Sequence, residues 1–401
     1  MATIRKRGNS YQIRVSTGYD TNGNHKEQAM TWKPPEGMSE RQIQKELNRQ
    51  AVMFEEACAH GYYTTAMKFQ DLAEEWFREY AELNLRKTTL YRTKQLTHRV
   101  YPVLGHLRID KLSARQIQSF INSLAKEGAN EKTGKPLARK SMIHHLSFIS
   151  GVFSYAVRGG MISENPCSKV VIPKGEVKEK EIYTQEQMQQ LLSLMHGQPL
   201  KYRVFFYLIA YSGFRRGEML GLEWKDVDFD NQIISVKRTS NYVAGIGNYT
   251  DTTKTKRSQR TLKIAAPIMG MLRELQNEQA VDALRLGNQW VETDRIFTRW
   301  NGTPMGNHTP YKWLRKLCEE NGLPFYGIHS FRHFAASSMI SAGLDVTTVS
   351  GALGHCNAGT TLNVYSHMFQ TAQARVSEAM DGVFGFLNTD QKTELSAENP
   401  A

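Results

Sequence analysis

The sequence predicts an α+β chain, mainly α, with its strands confined to two short stretches. Three observations carry this. Strand-like alternation occupies the N-terminal end, long helical stripes fill the middle, and a second strand-rich stretch lies between helices further on. A length of 401 residues exceeds one ordinary core. The 17 Tyr, 17 Phe and 6 Trp supply apolar bulk for several.

In the first block, 1–61, Tyr11, Ile13 and Val15 alternate with Gln12, Arg14 and Ser16, the period of a half-buried strand. Asn22-Gly23 is a turn signal, and Gln28 to Trp32 is a second strand candidate. Ser39 caps a helix carrying Ile43, Leu47 and Val52. A small sheet braced by one helix, with Arg5, Lys6, Arg7 and Arg14 on or before its strands, suits a DNA groove.

The second block, 64–170, reads all-helical. Phe69, Leu72, Ala73, Trp76, Phe77 and Tyr80 recur at helical spacing. Ser113 opens a helix with Ile117, Phe120, Ile121 and Leu124 on one face, and a third stripe runs Ile143, Leu146, Ile149, Val152, Phe153, Ala156 and Val157. Cations interleaved with hydroxyls (Arg86, Lys87, Arg92, Lys94, Arg99, Arg139 and Lys140) suit contacts along a phosphate backbone. Asn165-Pro166 ends this bundle, and 171–183 is an extended, charged linker.

The third block, 184–387, begins at Thr184, which with Gln187 resembles a capping box. Helices carrying Met188, Leu191 and Leu192, then Val204, Phe205, Leu208 and Ile209, precede a β region from Val227 to Ile264. Within it Ser240–Asp251, with Gly245 and Gly247, reads as a long hairpin loop of no assigned function. Helices resume at Pro267 and dominate from His329 to Phe386, and 388–401 reads as a disordered acidic tail.

The net charge of +12 points to a polyanionic partner. Residues 61–180 carry twenty Lys/Arg against eleven Asp/Glu, whereas 181–401 are nearly balanced. The arginines of the last block are therefore expected to make particular contacts. Cys58, Cys167, Cys318 and Cys356 form no CxxC pair, which argues against a zinc site or disulfide framework and for a reducing, cytoplasmic interior. No apolar run is long enough to span a membrane.

The chemistry lies in four boxes: Ser212-Gly213-Phe214-Arg215-Arg216-Gly217-Glu218, His329-Ser330-Phe331-Arg332, Leu353-Gly354-His355, and Tyr365. A phosphodiester repels nucleophiles until its charge is neutralised, and arginine offers a permanent, forked donor for that task. His329 can exchange protons near neutral pH. Tyr365 needs a base and a nearby positive cluster to attack. Lys254, in the hairpin before Arg260, can protonate a leaving 5′ oxygen. Glu218 would anchor an arginine or histidine. Arg216 competes with Arg215, and Lys256 with Lys254.

Together the boxes resemble the catalytic domain of the tyrosine recombinases, in particular integrases of temperate phages and conjugative transposons. The arginine box runs on through Leu222-Glu223-Trp224-Lys225-Asp226, and Gly327 to His333 matches the HxxR box. The second block is similar to that family's helical, SAM-like core-binding domain, and the first to its arm-binding domain. The resemblance implies that Tyr365 forms a 3′-phosphotyrosine and that Arg215 and Arg332 clamp the scissile phosphate. It also implies that His355 hydrogen-bonds the phosphate, His329 serves as base and Lys254 as acid. No metal, ATP or other cofactor is required. Expected partners are double-stranded DNA at core and arm sites and three further protomers in a homotetramer, with an excision factor or DNA-bending protein left open. An apolar stripe, Ala372, Val376, Ala379, Met380, Val383 and Phe384, would dock on a neighbouring protomer. The rivals are a resolvase or topoisomerase-like enzyme of the same chemistry, a catalytically silent DNA-binding relative, and a metal-dependent phosphodiesterase using His329, His333 and His355.

Overall fold

A computed structural model describes residues 2–19, 23–59, 67–175, 181–252, 259–355, 357–359, 361–362 and 365. Lys254, Lys256, Cys356, the stripe from Ala372 to Phe384 and the acidic tail lie outside the described residues. The chain divides into two compact units, Met1–Lys178 and Glu179–Ala401, and the division falls inside the expected linker.

The first unit contains two separate apolar cores. The smaller lies under a three-stranded antiparallel sheet in the order β1 (Thr3–Arg7), β2 (Ser10–Tyr19), β3 (His25–Trp32). Ile13 and Val15 face α1 (Glu40–Ala59), where Leu47, Ala51 and Phe54 meet them. Strand β1 was not foreseen. It holds one apolar residue, Ile4, among four polar ones, and it is an edge strand whose charges blunt it against further pairing. The register sets Thr3 opposite Arg14, Arg5 opposite Gln12 and Arg7 opposite Ser10. Directly opposed residues share a face, so Arg5, Arg7 and Arg14 lie on the side away from α1. Lys6, opposite Tyr11, sits on the other side with its ammonium 5.8 Å from the Tyr11 ring.

The larger core is helical: α2 (Phe69–Trp76), α3 (Glu82–Asn84), α4 (Lys87–Val100), α5 (Ala114–Leu124) and α6 (Arg139–Arg158), with π-helical turns at Phe77–Ala81 and Tyr101–Gly105. Ser113 and Gln116 form a capping box at α5. The α6 stripe needs correction. Its buried face is Met142, His145, Phe148, Ile149, Val152, Phe153 and Ala156, while Ile143 is exposed and Leu146 and Val157 are only half-buried. The row 142, 145, 149, 152, 156 steps by three and four residues, as a helix face must. A scan for apolar residues passes over His145. It is nonetheless buried, with Nδ1 2.8 Å from the Ser141 carbonyl, and burial holds its pKa down.

In the second unit, α7 (Gln185–Met195) opens on the Thr184–Gln187 capping box. Helix α8 (Leu200–Ser212) runs through the core, with Val204, Phe205, Phe206, Leu208 and Ile209 buried. The short α9 (Arg216–Met219) leads to a sheet of β4 (Val227–Asp228), β5 (Ile233–Val236) and β8 (Arg260–Lys263). Helices α10 (Ala266–Leu286), α11 (Thr309–Glu320), α12 (His329–Ser341) and α13 (Val346–Leu353) complete it.

The stretch 240–251, expected as a long hairpin loop, is a hairpin paired over most of its length, β6 (Arg238–Val243) with β7 (Gly247–Thr252). Gly245 and Gly247 take positive φ at its turn. The hairpin packs tightly on the turn after α9, where a Cβ on Gly221 would meet the Arg238 carbonyl at 2.9 Å. Buried charges brace it: Arg238 pairs with Asp226 and with Glu223, and Arg295 reaches both the Gly221 carbonyl and Thr250.

Candidate active site

Helix α8 ends at Gly213, whose φ of +63° is the left-handed conformation of a helix stop. A Cβ there would also lie 2.6 Å from Leu353 and 3.2 Å from Ala335. This one glycine thus brings the end of α8 against α12 and α13. Its carbonyl accepts a hydrogen bond from Arg332 Nη1 at 2.8 Å.

Arg215 stands at the N-cap of α9, so its backbone is extended and its side chain projects from the helix mouth. Its Nη1 donates to Glu218 Oε1 at 2.8 Å and its Nη2 to the Gly354 carbonyl at 3.0 Å. Arg216 takes a different direction and lines a pocket of about 350 Å³ beside Phe214, Tyr326 and His329. Of the two arginines, Arg215 is the one joined to the LGH box.

Glu218 is buried, and its other oxygen accepts from the Arg215 amide and from Arg260 Nη2, each at 2.9 Å. Burial would raise this carboxyl, but Arg260 and Arg215 together hold it below the usual range. Arg260 was not singled out from the sequence. Its Nε donates to the Ala352 carbonyl at 2.7 Å, and its guanidinium lies 4.9 Å from the Phe214 ring centre. It therefore ties β8, the arginine box and the end of α13 together. Gly354, at φ +65°, leaves it room, since a Cβ would lie 2.7 Å from Arg260 Nη1. The available signal was a cation beginning a short strand directly after the Lys254 segment.

Arg332 is 3% exposed, and its Nη2 makes no hydrogen bond among the described residues. Burial first, then Arg215, lowers its pKa to about 9. His355 turns Nδ1 to Thr361 Oγ1 at 2.7 Å, and burial followed by Arg332 and Arg215 pushes its pKa down to about 4. Tyr365 is 3% exposed, packed with Ala336, Ile340, Val349 and Leu353. Burial drives its hydroxyl up to about 12, against the opposing pull of Arg332. His333 Nδ1 lies 2.7 Å from the Tyr365 hydroxyl, and the His329 and His333 rings meet edge-on with centres 4.9 Å apart.

Thus Arg215, Glu218, His329, Arg332, His355 and Tyr365 belong to one neighbourhood. Three guanidiniums face one carboxylate there, so the cluster carries surplus positive charge in a largely water-excluded place. An anion would be drawn to it, and a transition state gaining negative charge still more strongly. Among the described residues no group of three His, Cys, Asp or Glu side chains is arranged to hold a metal ion. Nor is any helix among them long and apolar enough to cross a membrane.

The cations expected on the second block (Arg86, Lys87, Arg92, Lys94, Arg139 and Lys140) are all exposed. Lys94 is also paired with Glu82 at 2.7 Å, and Arg99 with Glu131 at 3.0 Å.

Comparison with known proteins accords with this geometry. The chain is 29% identical over 397 residues to a tyrosine recombinase XerC-like protein of Caldanaerobacter subterraneus subsp. tengcongensis, covering 93% of this chain and 96% of that one. The Tn1549 transposon integrase, solved with circular intermediate DNA, superposes with a TM-score of 0.64 at 20% identity over 78% of this chain and all of that one. A lambda integrase tetramer bound to a Holliday junction gives 0.53 at 15% identity, covering 89% and 94%. These two likenesses concern the fold. Residues 68–125 match the phage integrase N-terminal SAM-like domain, and residues 181–371 match the phage integrase family itself. The chain belongs to the phage integrase family, the tyrosine recombinases.

Proposed function

We propose that the protein cuts and rejoins DNA at paired sites through a 3′-phosphotyrosine at Tyr365, integrating and excising a mobile element from the bacterial cytoplasm. The observation that carries the site assignment is the buried Arg332. One of its amino groups already serves the Gly213 carbonyl, and the other is left for a ligand. A buried cation so placed is costly unless an anion joins it. Arg332 and Arg215 grip the scissile phosphate from two boxes that Gly213 and Gly354 hold together. The His355–Thr361 contact allows either direction, and the one in which Thr361 donates to Nδ1 leaves the proton of neutral His355 on Nε2, the donor a phosphate oxygen requires.

Tyr365 attacks phosphorus, the 5′ oxygen leaves with a proton from Lys254, and the bond energy is kept in the phosphotyrosine. A second 5′ hydroxyl then attacks it. Support for Lys254 is its place in the sequence: Thr252, paired with Arg238, precedes it, and Arg260, bonded to Glu218, follows it. On the first unit, Arg5, Arg7 and Arg14 engage arm sites, with Lys6 at the edge. Arg86, Lys87, Arg92, Lys94, Arg139 and Lys140 hold the core site. Four protomers assemble on two DNA sites. The second unit offers an apolar groove of about 610 Å³, lined among others by Tyr207, Tyr211, Met271, Phe334 and Met339. The stripe from Ala372 to Phe384 of a neighbouring protomer fills it. An excision factor or DNA-bending protein sets direction.

A nicked suicide substrate bearing the element's end tests this, with chelator present and Tyr365→Phe in parallel. Covalent adduct from the wild type alone is expected. Adduct persisting in the variant would move the nucleophile elsewhere, and chelator sensitivity would favour metal-dependent hydrolysis.

A further inference from the structure

The family resemblance assigns the base to His329, yet the hydrogen bond to the nucleophile is made by the next histidine on α12. His329 and His333 are four residues apart and so share one face of the helix. His333 Nδ1 stands 2.7 Å from Tyr365 Oη, within the range of direct proton transfer. The His329 ring braces it edge-on at 4.9 Å. Packing among Ala336, Ile340, Val349 and Leu353 fixes the phenol from the other side. Ionising a hydroxyl buried in this way is uphill, and Arg332 offsets the cost only in part. An adjacent acceptor supplies the remainder.

We propose that His333 is the catalytic base that takes the Tyr365 proton as the tyrosine attacks the scissile phosphate. This rests on Tyr365 being the nucleophile. In the forward step the Oη–H bond breaks and its proton passes to His333 Nδ1, which is unprotonated beforehand with the ring proton on Nε2. The Oη–P bond forms, the P–O5′ bond breaks, and the leaving oxygen takes its proton from the acid on the other side, assigned to Lys254. In the joining step the 5′ hydroxyl gives its proton back to the neutral Lys254 amine as its oxygen bonds to phosphorus, the Oη–P bond breaks, and His333 returns its proton to the departing Tyr365 oxygen. His329 holds the His333 ring in place.

Two substrates separate nucleophile activation from leaving-group protonation. One nicked site carries the ordinary 5′ oxygen at the scissile bond, and the other a 5′ bridging sulfur, whose thiolate leaves without a proton. Full-length wild type, His333→Ala, His333→Gln, Lys254→Ala and Tyr365→Phe are compared by initial rate of adduct formation, after each is shown to bind uncleaved site DNA. On the oxygen substrate His333→Ala is expected to be slower by roughly 10²-fold, and His333→Gln similarly, because glutamine can hydrogen-bond Oη but cannot accept its proton. The sulfur substrate should restore Lys254→Ala and leave both His333 variants slow. Rescue of the His333 variants by sulfur to the same degree as Lys254→Ala would overturn the assignment, as would His333→Ala within twofold of wild type. A wild-type rate for His333→Gln would likewise reject proton transfer. If His333→Ala fails to bind DNA, the ratio of the two substrates is read on His333→Gln. Adduct from Tyr365→Phe would instead remove the nucleophile reading on which the proposal stands.

Discussion

Arg332 and Glu218 share one electrostatic problem. Arg215, Arg260 and Arg332 crowd together, and Glu218, bonded to the first two, is the carboxylate that offsets them. Replacing it by glutamine leaves buried guanidiniums facing each other. Glu218→Gln is expected to cost roughly 3 kcal/mol, read as a fall of about 6–12 °C in Tm. Added sulfate should restore part of this, because an anion binding the folded state stabilises it by mass action. Absence of sulfate stabilisation in both proteins would argue against an anion site. His355 gives the pH counterpart. Its folded pKa of about 4 lies below the ordinary value of 6.5, so the unfolded chain takes up the proton first. That contribution to stability is whole above about pH 6.5 and is lost as pH falls toward 4. Melting at pH 7 and pH 5 should show a smaller drop for His355→Gln than for wild type. The glutamine does not titrate. At this scale the spacing of the boxes singled out Arg215, Glu218, Arg332, His355 and Tyr365, which the structure brings into one neighbourhood. It missed Arg260, which lies outside every box, and the Tyr365 contact of His333, the residue that closes the HxxR box; both depend on where α12, α13 and β8 meet.

Among the elements, the end of α8 is the joint on which the site depends. Gly213 satisfies a left-handed stop, lets Leu353 and Ala335 approach, and offers its carbonyl to Arg332. Gly213→Ala should cost about 3 kcal/mol, combining roughly 1–2 for a left-handed non-glycine backbone with 1–3 for overpacking. DNA cleavage should fall further than stability alone explains, because Arg332 loses its anchor. Chemical denaturation beside adduct rates on folded protein checks this, and a change under 1 kcal/mol would mean that the joint relaxes freely. The helix start at Ser113 and the capping box at Thr184 were legible because such signals are local. The turn of the hairpin β6–β7 was legible from Gly245 and Gly247 but the length of its pairing was not, since its strands are polar and braced by Asp226 and Arg295 from outside them. The face of α6 was misread for a similar reason. A buried histidine that bonds its own helix carries no apolar signal, so tertiary packing decided what pattern could not.

For the molecule as a whole, charge and apolar surface divide the labour. The excess of cations in 61–180 suits the DNA backbone, whereas the last block is nearly neutral and gathers Arg215, Arg260 and Arg332 around Glu218. The same block presents an apolar groove between α8, α10 and α12 that a soluble monomer gains nothing by exposing. Head-to-tail filling of that groove by the C-terminal stripe of the next protomer would close a ring, as a heterologous contact does when its rotation closes. Met271, half-buried in the groove wall, is a site where a charge should block the incoming stripe with little effect on the core. Met271→Glu is expected to bind a single half-site as the wild type does, while paired-site complexes and recombinant product fall by at least tenfold, since a buried unpaired carboxylate opposes docking. Half-site binding measured by gel shift, beside paired-complex yield after crosslinking, reads the two effects separately. Undiminished paired complexes from Met271→Glu would show that protomers meet through another surface, and the groove would then need a different occupant.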